Sequence, residues 1–390
     1  MATENISTIN ADGSGDYTSL SAWWTAVQNN DLPTLDRVEV AEVEGVLTAS
    51  AVAILDMRGG SYVVDSTRYF EVRAAPGHEW NGNLNAKHVG LVKSGAGIAY
   101  VVNCEVNFTK FRDLLVRNSV VVNGFAGGFM VGGNGALGDD IEFHRCGVHH
   151  LRPNTRISNT LIALHGGFGI RTSAGTYENI KYVNCVVNWI LKTGNTHTSK
   201  NTFIRALGFY CGTDNASNIE YINCTAGNMI IDGTTDGGDD GELDGRAAAF
   251  EANQVGDVRW INCFGFNCDE VGSFTQATET DNFYYGSGTP ADANHDYNAS
   301  EDATAPGSNA QQSLTVANQI ISETKETPNF SVLSGASLRD NGSDQSSDFT
   351  DDATGQSVRT SIFDIGAYEY EGVHIYGNVD IFGNTDINNQ

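Results

Sequence analysis

Positive charge is scarce in this sequence. Lys and Arg together number 22, against 48 Asp and Glu, so the formal net charge is −26. A polyanion such as DNA would be repelled by this charge rather than bound, and we expect no nucleic acid among the partners. Proline is also scarce, at six residues, whereas 44 glycines suit a chain with many tight corners between strands.

Long hydrophobic runs are missing as well. No apolar stretch approaches the about 20 residues of a membrane-spanning helix, so we expect no membrane insertion. The N-terminal stretch MATENISTINADGS has neither the basic head nor the apolar core of a signal peptide. These features predict a protein that is made in a reducing cytoplasm without a signal peptide.

Cysteine spacing does not suggest a disulfide framework or a zinc site. The seven cysteines are odd in number, and no closely spaced pair is matched by a second His or Cys pair. Cys146, Cys185, Cys224 and Cys263 recur at a constant step of 39 residues, since 185−146, 224−185 and 263−224 are equal. Free buried thiols behave as small apolar residues, so we predict that these four stack unpaired in a core; disulfides are the alternative.

Each of these cysteines closes the same short pattern, which reads IEFHRC, IKYVNC, IEYINC and VRWINC. Apolar residues alternate within each copy, which is the period of a strand with one buried face. A repeat without drift indicates that each unit stacks on the one before it, as in solenoid proteins. The earlier stretch FTKFRDLL fits the pattern if Leu114 stands at the cysteine position, 32 residues before Cys146.

The corner after each strand is also readable. Asn184, Asn223 and Asn262 interrupt the alternation, and asparagine tolerates the left-handed backbone of a sharp corner. A second strand precedes each pattern (GGFMV, GGFGI, ALGFY and RAAAF), with turn-forming stretches such as TSAGTYEN between the two. Strand, turn, strand, corner, strand and long loop predict one coil of a single-stranded right-handed parallel β-helix, which is an all-β fold.

An amphipathic helix is predicted near the N-terminus. Leu20, Trp23, Trp24 and Val27 have the helical spacing i, i+3, i+4, i+7. We expect this short helix to cap the open first coil, whose strand edges would otherwise recruit other chains. The alternative is that the two tryptophans form a platform for a sugar.

Two stretches carry a resemblance to known families. The opening DGSGDYTSLSAW resembles the start of pectinesterase-like and other pectin-lyase-like β-helix proteins, where a Gly-Asp-aromatic-Thr turn leads into a capping helix. FDIGAYEY, at residues 363–370, is similar to the closing motif of many bacterial and phage right-handed β-helix repeat proteins. The resemblance covers most of residues 10–372 and implies the fold. The Gly-Thr-Val-Asp-Phe-Ile-Phe-Gly run of pectinesterases is absent, so their activity is not implied.

Carboxylates crowd the stretch DGTTDGGDDGELD. Oxygen ligands in a glycine-rich loop suit Ca²⁺, so calcium is the candidate cofactor, although the strict Asp-x-Asp-x-Asp-Gly register ending in Glu is missing. The alternative is a solvated acidic loop between coils. The candidate metal ligands are Asp232, Asp236, Asp239, Asp240, Glu242 and Asp244.

Adjacent carboxylates also allow an enzyme interpretation. Asp139 with Asp140, or Asp239 with Asp240, could supply an acid and a base for glycoside cleavage. Neighbouring residues in a strand point to opposite faces, so a working pair would need a partner from the next coil. The sequence shows no Ser-His-Asp set and no phosphate loop, and the catalytic residues stay unknown.

Three further stretches are interpreted without a ligand. The loop Pro76–Gly82, with Trp80, reads as a plain turn-rich loop, and a ligand loop is the alternative. His149 and His150 lie in a small basic spot on an acidic protein. Residues 275–360 are rich in Ser, Asp, Asn and Thr, which predicts long loops wrapped along the helix.

The last 18 residues repeat every six, as IYGNVD, IFGNTD and INNQ. Their apolar column consists of Ile375, Ile381 and Ile387, which is too little to fold alone. Around a shared axis each Ile would meet its copies, so we predict self-association as a homotrimer; a frayed tail and docking on another protein are the alternatives. The expected regions are an N-terminal cap with a short helix (1–30), the β-helix with a loop-rich C-terminal cap (31–372) and a hexad-repeat assembly tail (373–390).

Together these features predict a structural surface protein of a phage virion, such as a tailspike, a fibre or a capsid decoration. Its expected partners are its own copies, other virion proteins and a cell-surface polysaccharide of the host, and its expected location is the virion. The alternative function is a polysaccharide-degrading enzyme of the pectin-lyase-like fold, either a lyase or a glycoside hydrolase. Fold alone cannot separate the two functions.

Overall fold

Each turn of the chain adds one strand to each of three sheets, and the turns stack in sequence order. The computed structural model describes residues 2–49, 53–84, 86, 90–96, 99–122, 126–132, 138–153, 163–170, 176–193, 204–212, 216–235, 245–252, 258–274, 280–285, 295–355 and 363–370. Successive coils pair in parallel. The chain is therefore an all-β right-handed parallel β-helix, which confirms the predicted fold class.

The strands of the three sheets follow one another along the chain. Sheet A contains β1 (Thr3–Ile9), β2 (Arg37–Val43), β5 (Phe70–Ala74), β8 (Thr109–Arg112), β11 (Ile141–His144), β14 (Tyr177–Val183), β17 (Ala216–Ile222) and β20 (Val258–Ile261). Sheet B contains β3 (Val46–Ala49), β6 (Gly90–Ala96), β9 (Leu115–Val122), β12 (Gly147–Pro153), β15 (Val186–Thr193), β18 (Thr225–Thr235), β21 (Phe264–Phe274) and β23 (Ala299–Ser300). Sheet C contains β4 (Leu55–Met57), β7 (Ala99–Cys104), β10 (Ala126–Val131), β13 (Ala163–Ile170), β16 (Ile204–Cys211), β19 (Gly245–Ala252) and β22 (Phe283–Tyr285).

The register between coils follows the spacing read from the sequence. In sheet A, Phe143 faces Tyr182, 39 residues further on. The preceding step is 32 residues, because Phe111 faces Phe143 and the next strand in sheet B keeps the same offset. This register puts Leu114 level with Cys146, as predicted.

Equivalent positions stack inside the coils. The rings of Phe143 and Tyr182 in sheet A have centroids 4.9 Å apart and planes 4° apart, and Phe168 and Phe209 form a second column in sheet C at 5.1 Å. The thiol of Cys224 donates a hydrogen bond to the carbonyl oxygen of Tyr182 in the coil before, with 3.5 Å between sulfur and oxygen. All seven cysteines are buried and free of disulfides in the structure, as predicted for the stacked four.

The predicted corners adopt left-handed backbone. Asn184, Asn223 and Asn262 have φ angles of 53°, 55° and 53°. The amide nitrogen of Asn223 donates to the side-chain oxygen of Asn184 at 2.9 Å, so the corner side chains also form a ladder. Asparagine therefore serves both the backbone turn and the contact between coils.

Helix α1 (Leu20–Val27) covers the first coils, and a single turn, α2 (Leu32–Leu35), follows it. The hydroxyl of Ser19 caps α1 by accepting a hydrogen bond from the N–H of Ala22. Trp23 and Trp24 are buried and meet the ring of Phe70 edge-on, with centroids 6.3 and 5.3 Å apart. The two tryptophans thus belong to the core and do not form a sugar platform.

A C-terminal segment, residues 314–355 and 363–370, lies along the outside of sheet B; we call it the strap. It contains a 3₁₀ turn (Val316–Asn318) and an antiparallel pair, β24 (Ile320–Ser322) and β25 (Asn329–Val332). Its apolar side chains form a second core with the outer face of sheet B. The members of this core include Leu115, Val186, Phe264, Phe266, Val316, Ile320, Phe330, Val332, Leu338, Ile365 and Tyr368.

The loop Pro76–Gly82 belongs to the same second core. Trp80 is 1% exposed, and its backbone N–H donates to the carbonyl oxygen of Asp113 at 3.0 Å. A Cβ added at Gly147 would lie 2.9 Å from the Trp80 ring, so glycine leaves the room that the indole needs. The Trp80 ring is therefore part of this core and is not a stacking surface for a ligand.

The closing motif FDIGAYEY attaches the strap to the coils through hydrogen bonds. The carboxylate of Asp364 accepts the N–H of Asp340 at 2.8 Å, and Glu369 accepts the N–H of Asp364 at 3.2 Å. The N–H of Ala367 donates to the hydroxyl of Thr225 in sheet B at 2.9 Å. The acidic residues of the motif therefore satisfy buried backbone donors.

Two predicted functional segments lie outside the described residues. The backbone of Asp232 pairs with Val271 near the end of β18, but its side chain and Asp236, Asp239, Asp240, Glu242 and Asp244 are outside the described set. The tail with Ile375, Ile381 and Ile387 is outside it as well. The calcium loop, the assembly tail and the region boundaries at residues 30 and 372 stay predictions.

Candidate functional site

The outer face of sheet A carries a column of charges that alternate in sign from coil to coil. Its members, in register order, are Glu71, Lys110, Glu142, Lys181, Glu220 and Arg259. The Lys110 ammonium lies 3.3 Å from the Glu142 carboxylate, and the Arg259 guanidinium lies 2.5 Å from the Glu220 carboxylate. Opposite charges on facing strands attract, so the column supports the parallel register.

A groove of about 230 Å³ lies beside this column, where the chain enters sheet A. It crosses several coils and opens to solvent. The residues that line it are Ser66, Tyr69, Phe108, Lys110, Asp140, Ile141, Glu142, Asn179 and Lys181. Aromatic, cationic, carboxylate and amide groups thus meet in one surface feature.

One wall of the groove is aromatic. The Lys110 ammonium lies 4.7 Å from the centre of the Tyr69 ring, a cation–π contact that fixes the lysine over the ring. Burial, followed by the negative charge of Glu71, raises the pKa of Tyr69, so its hydroxyl stays protonated at neutral pH. Phe108 has a φ of 51°, and the sheet A register places it one coil before Asp140, so it occupies the same left-handed corner as that residue.

Part of the groove lining belongs to a polar ladder at a second corner of the coils. Asp140, Asn179 and Asn218 have φ angles of 57°, 56° and 53° in successive coils. Asn179 donates from its amide nitrogen to the Asp140 carboxylate at 3.1 Å, and Asn218 donates to Asn179 at 2.7 Å. The side chains of Asp140 and Asn179 are therefore held in position by hydrogen bonds between coils.

The two carboxylates of the predicted pair, Asp139 and Asp140, lie in different places: one lines the groove and the other lies in the adjacent turn. Asp140 lines the groove, whereas the Asp139 carboxylate accepts the backbone N–H of Glu178 at 3.1 Å. Burial raises the pKa of Asp139, and the charges of Glu178 and Asp140 add to this effect, although the hydrogen bond from Glu178 opposes it. Two carboxyl groups with different environments thus lie at this corner.

The strap reaches the other side of the same face. Asp348 pairs with Lys181, and the Asp351 carboxylate lies 3.0 Å from the Nε2 atom of His144 and also pairs with Arg145. The amide nitrogen of Asn184 donates to the backbone oxygen of Asp351 at 2.6 Å. His144 does point outward, as its strand position suggests, and its partner is the strap.

The basic spot seen in the sequence has a structural explanation. His149 is buried, its Nδ1 lies 3.0 Å from the amide nitrogen of Asn188, and burial with the charges of His150 and Arg117 lowers its pKa to about 4. The ring of His150 stacks on Trp189 with centroids 4.0 Å apart. His149 is therefore a neutral core residue at physiological pH.

The groove residues Tyr69, Phe108 and Lys110 were missed by sequence reasoning. The alternating charge at the second position of each sheet A pattern was readable and marks the outer face. In the part of the chain that the structure describes, no group of three or more His, Cys, Asp or Glu is placed to hold a metal ion. Its helices are too short and too polar to span a membrane.

No family model matches the chain, and no curated protein matches it. Among solved structures, the chain is similar to one titled "Crystal structure of pectate lyase Pel9A", with 13% sequence identity and a TM-score of 0.40 over 95% of this chain and 97% of that one.

Proposed function

We propose that this chain is a structural protein of a phage virion surface, as a tailspike, a fibre or a capsid decoration, and that the sheet A groove binds a host cell-surface polysaccharide. The observation that supports glycan binding is the groove itself, in which the Tyr69 ring and the Phe108 side chain stand beside Lys110, Asn179 and carboxylates. Sugars offer apolar C–H faces and hydroxyl groups, and this lining offers partners for both.

The repeated architecture suits a polymeric ligand. The groove crosses several coils, and neighbouring strands in a sheet lie about 4.7–4.9 Å apart, so a chain of sugars would meet a further set of side chains at each coil. Because Lys110 is paired with Glu142, the lining balances its charges locally despite the net charge of −26. A neutral or zwitterionic glycan therefore fits better than a highly charged one.

Glycan binding is tested by exchanging one groove residue and one matched residue outside the groove. Tyr69→Ala removes the ring, and loss of one aromatic contact should weaken binding to the recognised polysaccharide by about tenfold. Arg259→Ala is the control, since Arg259 belongs to the same charge column but does not line the groove. Isothermal titration against a panel of bacterial polysaccharides measures both. Equal affinities of the two variants, or no binding to any polysaccharide by the parent protein, would reject the proposal.

Glycan cleavage is the second candidate. It is favoured by the adjacent carboxyl groups of Asp139 and Asp140, which lie in different environments: burial raises the pKa of Asp139, whereas Asp140 lines the groove. Release of reducing ends or loss of viscosity on the same panel, abolished by Asp140→Asn, would support an enzyme. A protein that binds a polysaccharide and leaves its length unchanged supports the structural function.

Calcium is proposed for the acidic loop with Asp232, Asp236, Asp239, Asp240, Glu242 and Asp244. A ligand that binds only the native state stabilises it by mass action, so a chelator should lower the melting temperature. A melting curve that is the same with and without chelator would leave the loop without a metal.

The virion setting is supported by the hexad tail. A single chain buries almost no apolar surface in this segment, so nothing offsets the backbone entropy of ordering it, whereas in an assembly each Ile would be buried against its copies and backbone groups would pair between chains. We propose a homotrimer through Ile375, Ile381 and Ile387, with other virion proteins as further partners. Light scattering should show a trimer for the full chain and a monomer for a chain ending at Gly372. The same oligomeric state for both would contradict this assignment.

A further inference from the structure

A second cleft lies at the seam between the strap and the loop that contains Trp80. It has a volume of about 280 Å³ and brings together segments that are distant in the sequence. The residues that line it are Asn81, Gly82, Asn83, Pro328, Asn329, Phe330, Ser331, Thr354 and Tyr368. We propose that this cleft is a binding site for a neutral hexose unit, independent of the groove on sheet A.

The walls of the cleft are fixed before any ligand binds. The Tyr368 hydroxyl donates to the carbonyl oxygen of Gly82 at 2.8 Å, which joins the strap to the loop. Gly82 has a φ of 77°, and a Cβ there would lie 2.9 Å from the Tyr368 ring and 3.0 Å from the Thr354 methyl group. Glycine therefore permits both the turn and the close approach. Thr354 is held in turn by the Asp352 carboxylate, which accepts its N–H at 2.9 Å and its hydroxyl at 2.6 Å.

The chemistry of the lining selects an uncharged ligand. None of the residues lining the cleft carries a charge, in a chain whose net charge is −26. The nearby Asp352 carboxylate is 1% exposed and is turned to Thr354 and to the N–H of Glu369. An anion would find no cation in the cleft, and a metal cation would find no carboxylate ligand there.

The polar groups of the lining match hydroxyl groups. The side-chain oxygens of Asn81 and Asn329 accept the N–H groups of Asn83 and Ser331, at 3.4 and 3.1 Å, so their amide NH₂ groups are the parts left for a ligand. The hydroxyl of Ser331 adds a group that can donate and accept. The rings of Phe330 and Tyr368, which also line the cleft, meet edge to face with their centroids 6.2 Å apart. Amide donors together with aromatic side chains suit one sugar ring, which offers hydroxyl groups and apolar C–H faces.

The cleft joins two segments at one place and does not continue along the coils, unlike the groove on sheet A. Its volume of about 280 Å³ lies just below the about 300–1,000 Å³ of pockets for drug-sized ligands. One hexose unit, free or at the end of a glycan, therefore fits better than an extended polymer. Because the ligand would touch both the strap and the loop, its binding should also strengthen the attachment of the strap.

The test uses the full chain and ligand-observed saturation-transfer NMR with glucose, galactose, mannose and, as an acidic counterpart, glucuronate. The double variant Asn81→Asp and Asn329→Asp keeps both turn-forming oxygens and removes both amide donors. We expect at least one neutral hexose to bind, glucuronate to give no signal, and the double variant to bind at least about tenfold more weakly. Asn318→Asp is the control, because Asn318 is exposed and does not line the cleft.

Two further variants keep the result decisive. Ser331→Phe should fill the cleft and abolish the signal without changing the circular dichroism spectrum. The double variant is also compared with its parent in a Tyr69→Ala background, where the groove on sheet A is weakened in both samples; the loss of signal should persist there, which separates this cleft from the groove. Absence of signal from all three neutral hexoses, a signal from glucuronate of equal strength, or unchanged binding in the double variant would overturn the proposal.

Discussion

The stacked coils and the strap are held by different kinds of contact. In the coils, residues of the same type contact each other at a constant spacing of 39 residues. Tyr182 stacks on Tyr221 with ring centroids 4.7 Å apart, and Asn223 forms a hydrogen bond with Asn184. The strap packs on sheet B through the second core, and its hydrogen bonds are single contacts over long and unequal separations, such as 81 residues for Asn262 with Ser343 and 286 for Gly82 with Tyr368. The coils therefore share their stability among many equivalent contacts, whereas each strap contact is unique.

The largest effect is expected from a charge in the cysteine column. Cys224→Asp places a carboxylate among buried groups, where even the thiol of Cys224 has its pKa raised by burial. A buried unpaired charge costs several kcal/mol, which is comparable with the about 5–15 kcal/mol of a whole domain. We expect loss of the folded state in circular dichroism. Cys224→Ser, which can still donate to the Tyr182 oxygen, is the control and should fold; two equally stable variants would contradict the assigned core.

A smaller effect is expected at the corner. Asn223→Ala puts alanine into a left-handed conformation at about 1–2 kcal/mol and removes the ladder hydrogen bond, worth about 1 kcal/mol. Asn223→Gly avoids the cost of the left-handed backbone but still loses the hydrogen bond to Asn184. Urea unfolding should thus rank the parent above the glycine variant and the glycine variant above the alanine variant. The reverse order of the two variants would show that the backbone conformation is not the source of the effect.

The strap should respond locally to loss of Asp351. Burial raises the pKa of this carboxyl, but the His144 hydrogen bond and the Arg145 charge outweigh burial and leave the pKa below its usual value. Asp351→Asn should cost about 1 kcal/mol, after allowance for partial exposure, and should speed proteolysis of the strap with little change in the melting of the coils. Lys181→Ala, which removes a more exposed contact to Asp348, is the milder comparison.

The lowered pKa of Asp351 also predicts how the stability of the strap depends on pH. A carboxyl whose folded pKa is lowered stabilises the folded state above the unfolded pKa of about 3.9. That stabilisation is lost as the pH falls through the lower folded pKa. Proteolysis rates of the parent and of Asp351→Asn should therefore differ near pH 6 and converge below about pH 4. A difference that grows on acidification would contradict the assigned ion pairs.

The smallest effect is expected from a buried hydroxyl. Within the described residues, the Tyr182 hydroxyl is buried without a hydrogen-bond partner, and Phe143 occupies the same column one coil before. Tyr182→Phe should leave the free energy of unfolding unchanged or raise it by about 1 kcal/mol. Tyr368→Phe in the strap is the matched case, since it loses the bond to Gly82 and should be destabilised by about 1 kcal/mol. Denaturant titration of both variants checks the contrast.

The difference between the two regions also explains what the sequence could predict. The step between Cys185 and Cys224, the alternation around Tyr182 and the corner at Asn223 repeat, so a single sequence reveals the coils through its own period. The strap is attached by contacts such as those of Asp351 with His144 and Arg145. Asp351 lies 206 residues after Arg145 in the sequence, and a contact of this kind occurs once, so no repeat in the sequence predicts it. The groove was missed because its equivalent positions carry different residue types in successive coils, as with Phe108, Asp140 and Asn179, so no repeat marks them.

The central claim is that the stacked coils form the stable unit and that the strap opens separately from it. Hydrogen exchange measured by mass spectrometry on the intact chain tests this claim most directly, because exchange reports the free energy of local opening. We expect amides of β14, β17 and β20 to exchange at least about tenfold more slowly than those of residues 314–355, after correction for intrinsic rates. Equal protection of the two regions, or a strap that exchanges more slowly than the coils, would contradict the account.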